Sequence, residues 1–268
     1  MTDRATGQIT TNAADYYENY FVPALFKERT GPLIDFAEIN PGNTVLDVGC
    51  GTGILTRALV DTHLKVSSMD ISPSMLEQLE NLADGREVDL HVGDIFNLPF
   101  EDGRFDGVAS RWVLPHFPEW PNAVAEMGSK LKPGGHLFFD FCNAENVEMA
   151  HRVGPIDVKS FGFCHDEADT ANQGAFYATA SLDQIQTSAE GAGLELVEVK
   201  PTGFFVSNGA IAAAVGSEGY EVYKEGLKHH YMDPGARAFM QWFESFVTPR
   251  LPSPMVHGMC VVMRRPEA

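Results

Sequence analysis

The stretch VLDVGCGTG, residues 45–53, constrains the fold more than any other part of the chain. Val45, Leu46 and Val48 surround a single acid, Asp47, as in a short strand buried on both faces. Gly49, Gly51 and Gly53 follow on alternate positions, and ILTRALVDT then continues with helical spacing. Glycine permits positive φ and close approach to the main chain, and the start of a helix presents free N–H groups. A buried strand that turns on glycines into a helix opens a βαβ unit. In open α/β sheets of such units, ligands bind beyond the carboxyl ends of the strands.

The remaining sequence continues the alternation. KVSSMD, VDLHVGD, FDGVASRW and HLFFDFC read as further strands, and PGG at 133–135 reads as a turn before the last of these. Helices are expected over SPSMLEQLENLA, with Ser72 as N-cap and Pro73 at N1, and over 119–130. SLDQIQTSAEGAG is a helix, LELVEVKPTGFFV a strand and MVHGMCVVMRR a closing strand. Upstream, 13–29 reads as an amphipathic helix broken near Pro23, and 30–38 as a second helix. This order implies an α/β domain with a mostly parallel sheet covered on both faces. Two segments interrupt it: 143–180, polar and glycine-containing, and a mostly helical 208–252. Long insertions in a compact domain are often lids or binding loops.

Charge narrows the partners. With 37 acidic and 19 basic residues the formal net charge is −18, which disfavours nucleic acid and anionic membranes. No apolar run approaches the ~20 residues of a membrane span, and MTDRATGQITTNAADYY lacks the apolar core of a secretory signal; a cytoplasmic location is expected. Cys50, Cys142, Cys164 and Cys260 form no CxxC pair and no zinc-finger spacing. They read as reduced structural thiols, and no metal is expected.

The glycine spacing tests the ligand class. In the dinucleotide fingerprint G-x-G-x-x-G the third glycine would stand at Ile54, but it comes one residue early, and no GK[ST] is present to hold phosphates. Two later acids add to the turn. Asp70 ends the second strand, where an acid can accept hydrogen bonds from a ribose diol. Asp94 ends the third, where a carboxylate can accept from an exocyclic amine. Each acid alone is equally well a solvated strand end or a helix cap; all three strand ends behind one glycine turn point to a ligand.

VLDVGCGTG, MDIS, GDIFNLPFEDGRFDGV and LKPGG together resemble the class I S-adenosylmethionine-dependent methyltransferases, in particular the small-molecule branch of ubiquinone and menaquinone biosynthesis. The resemblance is strong over 40–142, and YYENYF is similar to that branch's tyrosine-containing N-terminal helix. It implies a Rossmann-like, doubly wound, seven-stranded sheet with an antiparallel last strand, in a single domain over 1–268: N-terminal helices at 1–39, a cofactor-binding core at 40–142 and a helical lid at 208–252. It implies that Asp47, Gly49, Cys50, Gly51 and Gly53 hold the methionine part of S-adenosylmethionine. Asp70 would bind the ribose, and Asp94, with Gly93 and the Ile95 N–H beside it, the adenine amine. Ile71 and Met75 would flank the adenine or serve as ordinary core. Ser110 and Arg111 would border the sulfonium, with Tyr17 closing the cofactor site and Trp112 facing the acceptor.

The methyl is already activated by the sulfonium, so the protein's task is alignment and exclusion of water. Where the acceptor must lose a proton, His116 in RWVLPHFPEW is the candidate base; a structural or capping role is the alternative. His151, His165, His229 and His230 lie in the two insertions and read as surface residues. Asp140 and Asn143 make too small a set for the metal-dependent catechol subclass. SRWVLP is not the NPP-aromatic motif of the nucleic-acid adenine methylases, and Cys142 with Cys164 is a poor match to arsenite methylation. The helical insertion concentrates Tyr220, Tyr223, Tyr231, Phe239, Trp242 and Phe246. With Tyr16, Tyr17 and Phe21, these aromatics are expected to enclose a small, largely apolar or aromatic acceptor, or else to form ordinary helical core. The rival readings are an S-adenosylmethionine-binding regulatory or assembly protein without catalysis, and a nicotinamide dehydrogenase.

Overall fold

A computed structural model describes residues 39–154, 178–205 and 209–267, together with the two-residue strands Thr2–Asp3, Gln8–Ile9, Phe163–Cys164 and Ala175–Phe176. The helices expected over 13–29 and 30–38 lie outside the described residues, as do Tyr16, Tyr17 and Phe21.

Seven strands form the continuous sheet: β1 (Thr44–Val48), β2 (Lys65–Asp70), β3 (Asp89–Val92), β4 (Phe105–Ser110), β5 (Leu131–Asn143), β6 (Glu195–Thr202) and β7 (Gly258–Arg264). Their order is β6-β7-β5-β4-β1-β2-β3. Strands β1 to β5 pair in parallel, and β7 runs antiparallel to both β5 and β6. The expected sheet and its reversed last strand are therefore both present, with the short strand Thr179–Ala180 added alongside the end of β5.

The apolar run of β5 splits by pleat. Leu137, Phe139 and Phe141 join Leu46, Val48, Met69 and Val108 on one face, under helices α3 (Trp120–Ser129) and α5 (Leu182–Gly191). Phe138 joins Val45, Val66, Ala109 and Val262 on the other, under Leu55 and Leu59 of α1 (Ile54–Asp61). Alternate residues point to opposite faces, so a strand covered on both sides needs apolar residues at every position.

Three local expectations are revised. PGG is not a turn before β5: the strand runs through it as a bulge, and its pairing with β4 jumps from Phe105↔Leu131 to Gly107↔His136. Gly135 makes this possible, because a Cβ there would come 2.9 Å from the Asp106 carbonyl oxygen. Ser72 is the N-cap of α2 (Pro73–Leu82) and Pro73 opens the helix as expected, but the Ser72 hydroxyl meets Ser74 Oγ at 2.9 Å and makes no capping hydrogen bond. Residues 144–153, expected as part of a polar insertion, form helix α4 (Ala144–Val153).

Asn143 explains that helix. Its Oδ1 accepts from the Glu145 N–H at 3.1 Å, and its Nδ2 donates to the carbonyls of Ser253 (2.7 Å) and Val256 (3.1 Å). One buried side chain thus starts α4 and fastens the strap leading into β7. Asn143→Ala removes the cap and the strap bonds, including a third to Ser253 Oγ at 3.0 Å, and is expected to cost about 2 kcal/mol, measured by urea denaturation. A change below about 0.5 kcal/mol would show that the strap holds without it.

The insertion before β7 is helical, as expected. It contains α6 (Gly209–Met232), kinked at Gly216, and α7 (Pro234–Trp242), whose first turn is capped by Asp233. A π turn (Phe243–Val247) and a 3-10 turn (Thr248–Arg250) complete it. Helix α6 packs on α4. Among the described residues, no helix is long and apolar enough to cross a membrane.

Candidate functional site

Strand order reverses at β1, which lies between β4 and β2. Connections leaving β1 and β4 diverge there and open a crevice at the carboxyl edge of the sheet. The glycine turn forms one lip. Gly49, Gly51 and Gly53 have φ of 69°, 53° and 82°, all left-handed. The turn is tied to β2, because the N–H groups of Gly49 and Cys50 both donate to the Met69 carbonyl, at 2.7 and 3.0 Å. A Cβ on Gly49 would fall 2.3 Å from Val113 Cγ2, and one on Gly53 would fall 2.0 Å from Leu79 Cδ1. These two glycines serve packing. Gly51 differs: among the described residues, no atom beyond its chain neighbours lies within 4 Å of where its Cβ would stand. The bare main chain there faces open space, as a cradle for a ligand would.

The acids at the strand ends have different surroundings. Asp70 is buried and accepts from the Gly51 and Ser72 N–H groups, each at 2.9 Å. Burial raises its carboxyl, and those backbone donors oppose the rise. Asp94 is exposed; its side chain accepts from the Phe96 N–H at 3.0 Å, folding the loop after β3. Gly93 donates to the Asp70 carbonyl at 3.1 Å and so holds the ends of β2 and β3 together. Asp47 is 1% exposed and accepts from Thr56 Oγ1 at 2.6 Å; Thr56 in turn shares a 2.9 Å hydrogen bond with Ser68 Oγ. Burial pushes the Asp47 carboxyl up to about 7, against the Thr56 hydrogen bond, with the neighbouring Asp70 adding to the rise and Arg111 opposing it.

The apolar candidates divide. Ile71 is 46% exposed at the edge, as a platform for a flat ring would be, whereas Met75 is 2% exposed in the core. The Ile95 side chain also belongs to the core, with Met69, Leu98 and Phe100. Cys50 is buried against Leu76 and Leu79, and burial raises its thiol far above the usual range. Cys142 and Cys260 are buried as well.

The opposite lip follows β4. Ser110 Oγ donates to the Val48 carbonyl at 3.0 Å and locks β4 to β1. Arg111 Nε donates to Asp140 Oδ2 at 2.8 Å in an ion pair whose side chains are only 10% and 8% exposed. Trp112 adopts φ of 55°, rare for an aromatic residue. Its indole lies parallel to the His257 imidazole, with centroids 6.3 Å apart. His116 ends the 3-10 turn Leu114–His116 and is partly buried.

The lid candidates also separate. Tyr223 donates its hydroxyl to the Phe205 carbonyl at 2.7 Å and stacks on Tyr220. Glu244 Oε1 accepts the Phe205 N–H at 3.1 Å. Because His257 donates its N–H to the Gly203 carbonyl (3.4 Å), the segment 203–205 links Trp112 to the helical insertion. Tyr231 is buried beneath Arg237. Trp242 is 51% exposed, between Phe239 and Phe246. The structure thus ties Tyr223 to the crevice side, buries Tyr231 within the insertion's own packing and leaves Trp242 on an outer face. Sequence reading missed Thr56 and His257. Thr56 lies within the first helical turn after Gly53, on the side facing Asp47, a signal that helical spacing carries; His257 has no comparable local signal.

Residues 46–139 match a family model described as a methyltransferase domain. A ubiquinone biosynthesis O-methyltransferase of Xanthomonas campestris is 36% identical over 116 residues, 42% of this chain and 48% of that protein. The match thus spans about half of that relative's length. A demethylmenaquinone methyltransferase of Bacillus cereus is 30% identical over 187 residues, 63% of this chain and 77% of that protein. Among solved structures, a chain in complex with the Haloferax volcanii Trm112 methyltransferase activator superposes with a TM-score of 0.64, at 18% identity and covering 96% of both chains. That likeness concerns the fold alone.

Proposed function

The chain belongs to the class I S-adenosylmethionine-dependent methyltransferases, and from that membership we propose that it methylates a small organic acceptor, largely apolar or aromatic. The observation that carries the reading is the open main chain at Gly51, tied to the buried Asp70, on the sheet edge where Asp47 and the exposed Asp94 also end strands. These residues fit the cofactor: a bare main chain for the amino-acid end, a buried carboxylate for a diol, and an exposed carboxylate for an amine.

Bound there, S-adenosylmethionine supplies an activated methyl group. Asp70 presents a carboxylate already oriented by two backbone N–H groups, and its remaining lone pairs accept from the ribose. Asp94 accepts from the adenine amine, and Ile71 packs on the ring. Arg111, held by Asp140, and Trp112, backed by His257, border the methyl. His116 is the residue to take a proton where the acceptor must lose one. The helices over 209–250 form the lid. Tyr223 and the segment 203–205 line its inner side, so the acceptor's apolar body lies between them and Trp112. Of the substrate residues expected from sequence, Tyr223 and Trp112 are the ones this reading retains.

The relatives guide the first acceptors: demethylmenaquinone and hydroxylated aromatic rings. The test is a panel of acceptors with S-adenosylmethionine, following S-adenosylhomocysteine release and product mass. Turnover of a ring-bearing acceptor supports the reading. Tight cofactor binding without turnover across the panel favours a non-catalytic binding protein, and tight NAD(H) binding would overturn the cofactor assignment.

Asp70→Ala is expected to weaken S-adenosylmethionine binding by about 1.5–3 kcal/mol for each charge-assisted hydrogen bond lost, as an upper scale. Calorimetry on wild type and variant checks this. Unchanged affinity would reduce Asp70 to a strand-end residue that braces the turn.

A further inference from the structure

Trp112 has φ of 55°, a left-handed conformation that a bulky side chain keeps only where its surroundings enforce it. Both of its chain neighbours are pinned. Arg111 is held by Asp140 at 2.8 Å, and Val113 fills the space that a Cβ on Gly49 would need. The His116 N–H then donates to the Val113 carbonyl at 3.0 Å and starts the 3-10 turn. These contacts fix the main chain on either side of Trp112. The indole itself lies within 6° of parallel to the His257 ring, with centroids 6.3 Å apart, an offset stack of two flat rings.

His257 is buried where three strands meet. Its carbonyl accepts from the Asn143 N–H at the end of β5 (2.7 Å), and its N–H donates to the Gly203 carbonyl just past β6 (3.4 Å). The next residue, Gly258, opens β7 and pairs with both Cys142 and Thr202. The imidazole is thus carried by the sheet rather than by the lid helices, and a rigid element places a neighbouring side chain more closely than a loop does. From Gly203 the chain passes to Phe205, whose carbonyl takes the Tyr223 hydroxyl at 2.7 Å and whose N–H goes to Glu244 Oε1 at 3.1 Å. His257 therefore meets Trp112 through its ring and the segment leading to the lid through its main chain.

We propose that His257 is a positioning residue for methyl transfer: its ring holds the Trp112 indole and its main chain holds Gly203, so that one buried residue sets the spacing between the two walls of the acceptor site. The inference rests on the acceptor reading above. His257 moves no proton and makes no contact with the acceptor; it acts through Trp112. The cofactor contacts assigned to Gly51, Asp70 and Asp94 lie on the other lip and do not pass through it.

His257→Ala and His257→Leu both remove the flat ring, and His257→Leu keeps the buried volume filled should His257→Ala not fold; His257→Phe restores a flat ring. With demethylmenaquinone as acceptor, kcat/KM is expected to fall about a hundredfold in the first two, the scale of a misplaced reacting group, and to return to within about threefold of wild type in His257→Phe. S-adenosylmethionine affinity, measured by calorimetry, should stay within about twofold throughout, as for sites that share no partner. In a Trp112→Ala background, His257→Ala should cost less than about threefold more, because a residue that acts through another adds little once the other is gone. Labelling with 5-fluorotryptophan gives one fluorine line for each of the three tryptophans, and Trp112→Phe identifies that of Trp112. This line should be single and sharp in wild type and His257→Phe, and broadened or split in His257→Ala and His257→Leu. A sharp line in all forms, an undiminished effect of His257→Ala in the Trp112→Ala background, or cofactor affinity falling in step with kcat/KM would overturn the proposal. Absence of transfer by wild type would instead strike at the acceptor reading, and the fluorine spectra alone then decide whether His257 places Trp112.

Discussion

Replacing Asp140 by alanine is expected to destabilise the fold by about 3–5 kcal/mol, the usual result of removing one partner from a buried ion pair. Arg111 and Asp140 are both about nine-tenths buried and 2.8 Å apart. They join the ends of β4 and β5, the two strands that carry one wall of the crevice. Without Asp140, the guanidinium remains in a low-dielectric setting near Asp47, which compensates it only in part. The double variant Arg111→Leu/Asp140→Leu should recover most of the loss, because a pair of apolar residues pays no desolvation penalty. Urea denaturation followed by circular dichroism measures both. A loss below about 1 kcal/mol in Asp140→Ala would mean that the pair behaves as a solvated surface contact.

Gly53→Ala and Gly51→Ala are expected to diverge sharply, although both glycines sit in one turn with positive φ. At Gly53 the new methyl would overlap Leu79 Cδ1 at 2.0 Å, and Leu79 is fully buried. Left-handed backbone strain of about 1–2 kcal/mol adds to an overpacking cost of about 1–3 kcal/mol, so Gly53→Ala should lose about 3 kcal/mol or more. At Gly51 no described atom beyond its chain neighbours stands within 4 Å, and only the strain of about 1–2 kcal/mol remains. There the methyl fills space that the bound amino-acid end would use. Cofactor affinity should fall by about tenfold or more, equal to about 1.4 kcal/mol, while the protein stays folded. Thermal melts and calorimetry separate the two effects. Equal destabilisation without a binding defect in Gly51→Ala would show that the open cradle is not where ligand binds.

What was legible in the sequence is what local rules govern. The strand–turn–helix at 44–61, the acids at three strand ends and the double-faced apolar run of β5 all follow from short-range periodicity and glycine stereochemistry. These features were enough to place Asp47, Asp70, Asp94 and the glycine turn on one edge of a parallel sheet. The bulge at PGG was not legible, because it depends on how β5 must shift to pair with β4. Nor was the helix over 144–153, which is started by an asparagine whose other bonds go to residues more than a hundred positions away.

The site shows the same division. The family resemblance pointed to Arg111 and Trp112 as neighbours of the cofactor, but only the packed sheet brings Asp140 to the first and His257 to the second. The aromatic residues of the insertion carry similar helical spacing, yet Tyr223 is tied to Phe205, Tyr231 is buried and Trp242 faces outward. Helical periodicity states which side chains share a face; it does not state what that face meets. Asp47 is the sharpest case. Its identity and its place at the strand end were set by sequence alone. Its raised carboxyl depends on burial, opposed by the Thr56 hydrogen bonds and by Arg111 and reinforced by Asp70, groups that converge only when β1, β2, β4 and α1 pack together, because desolvation and Coulomb terms act through space rather than along the chain.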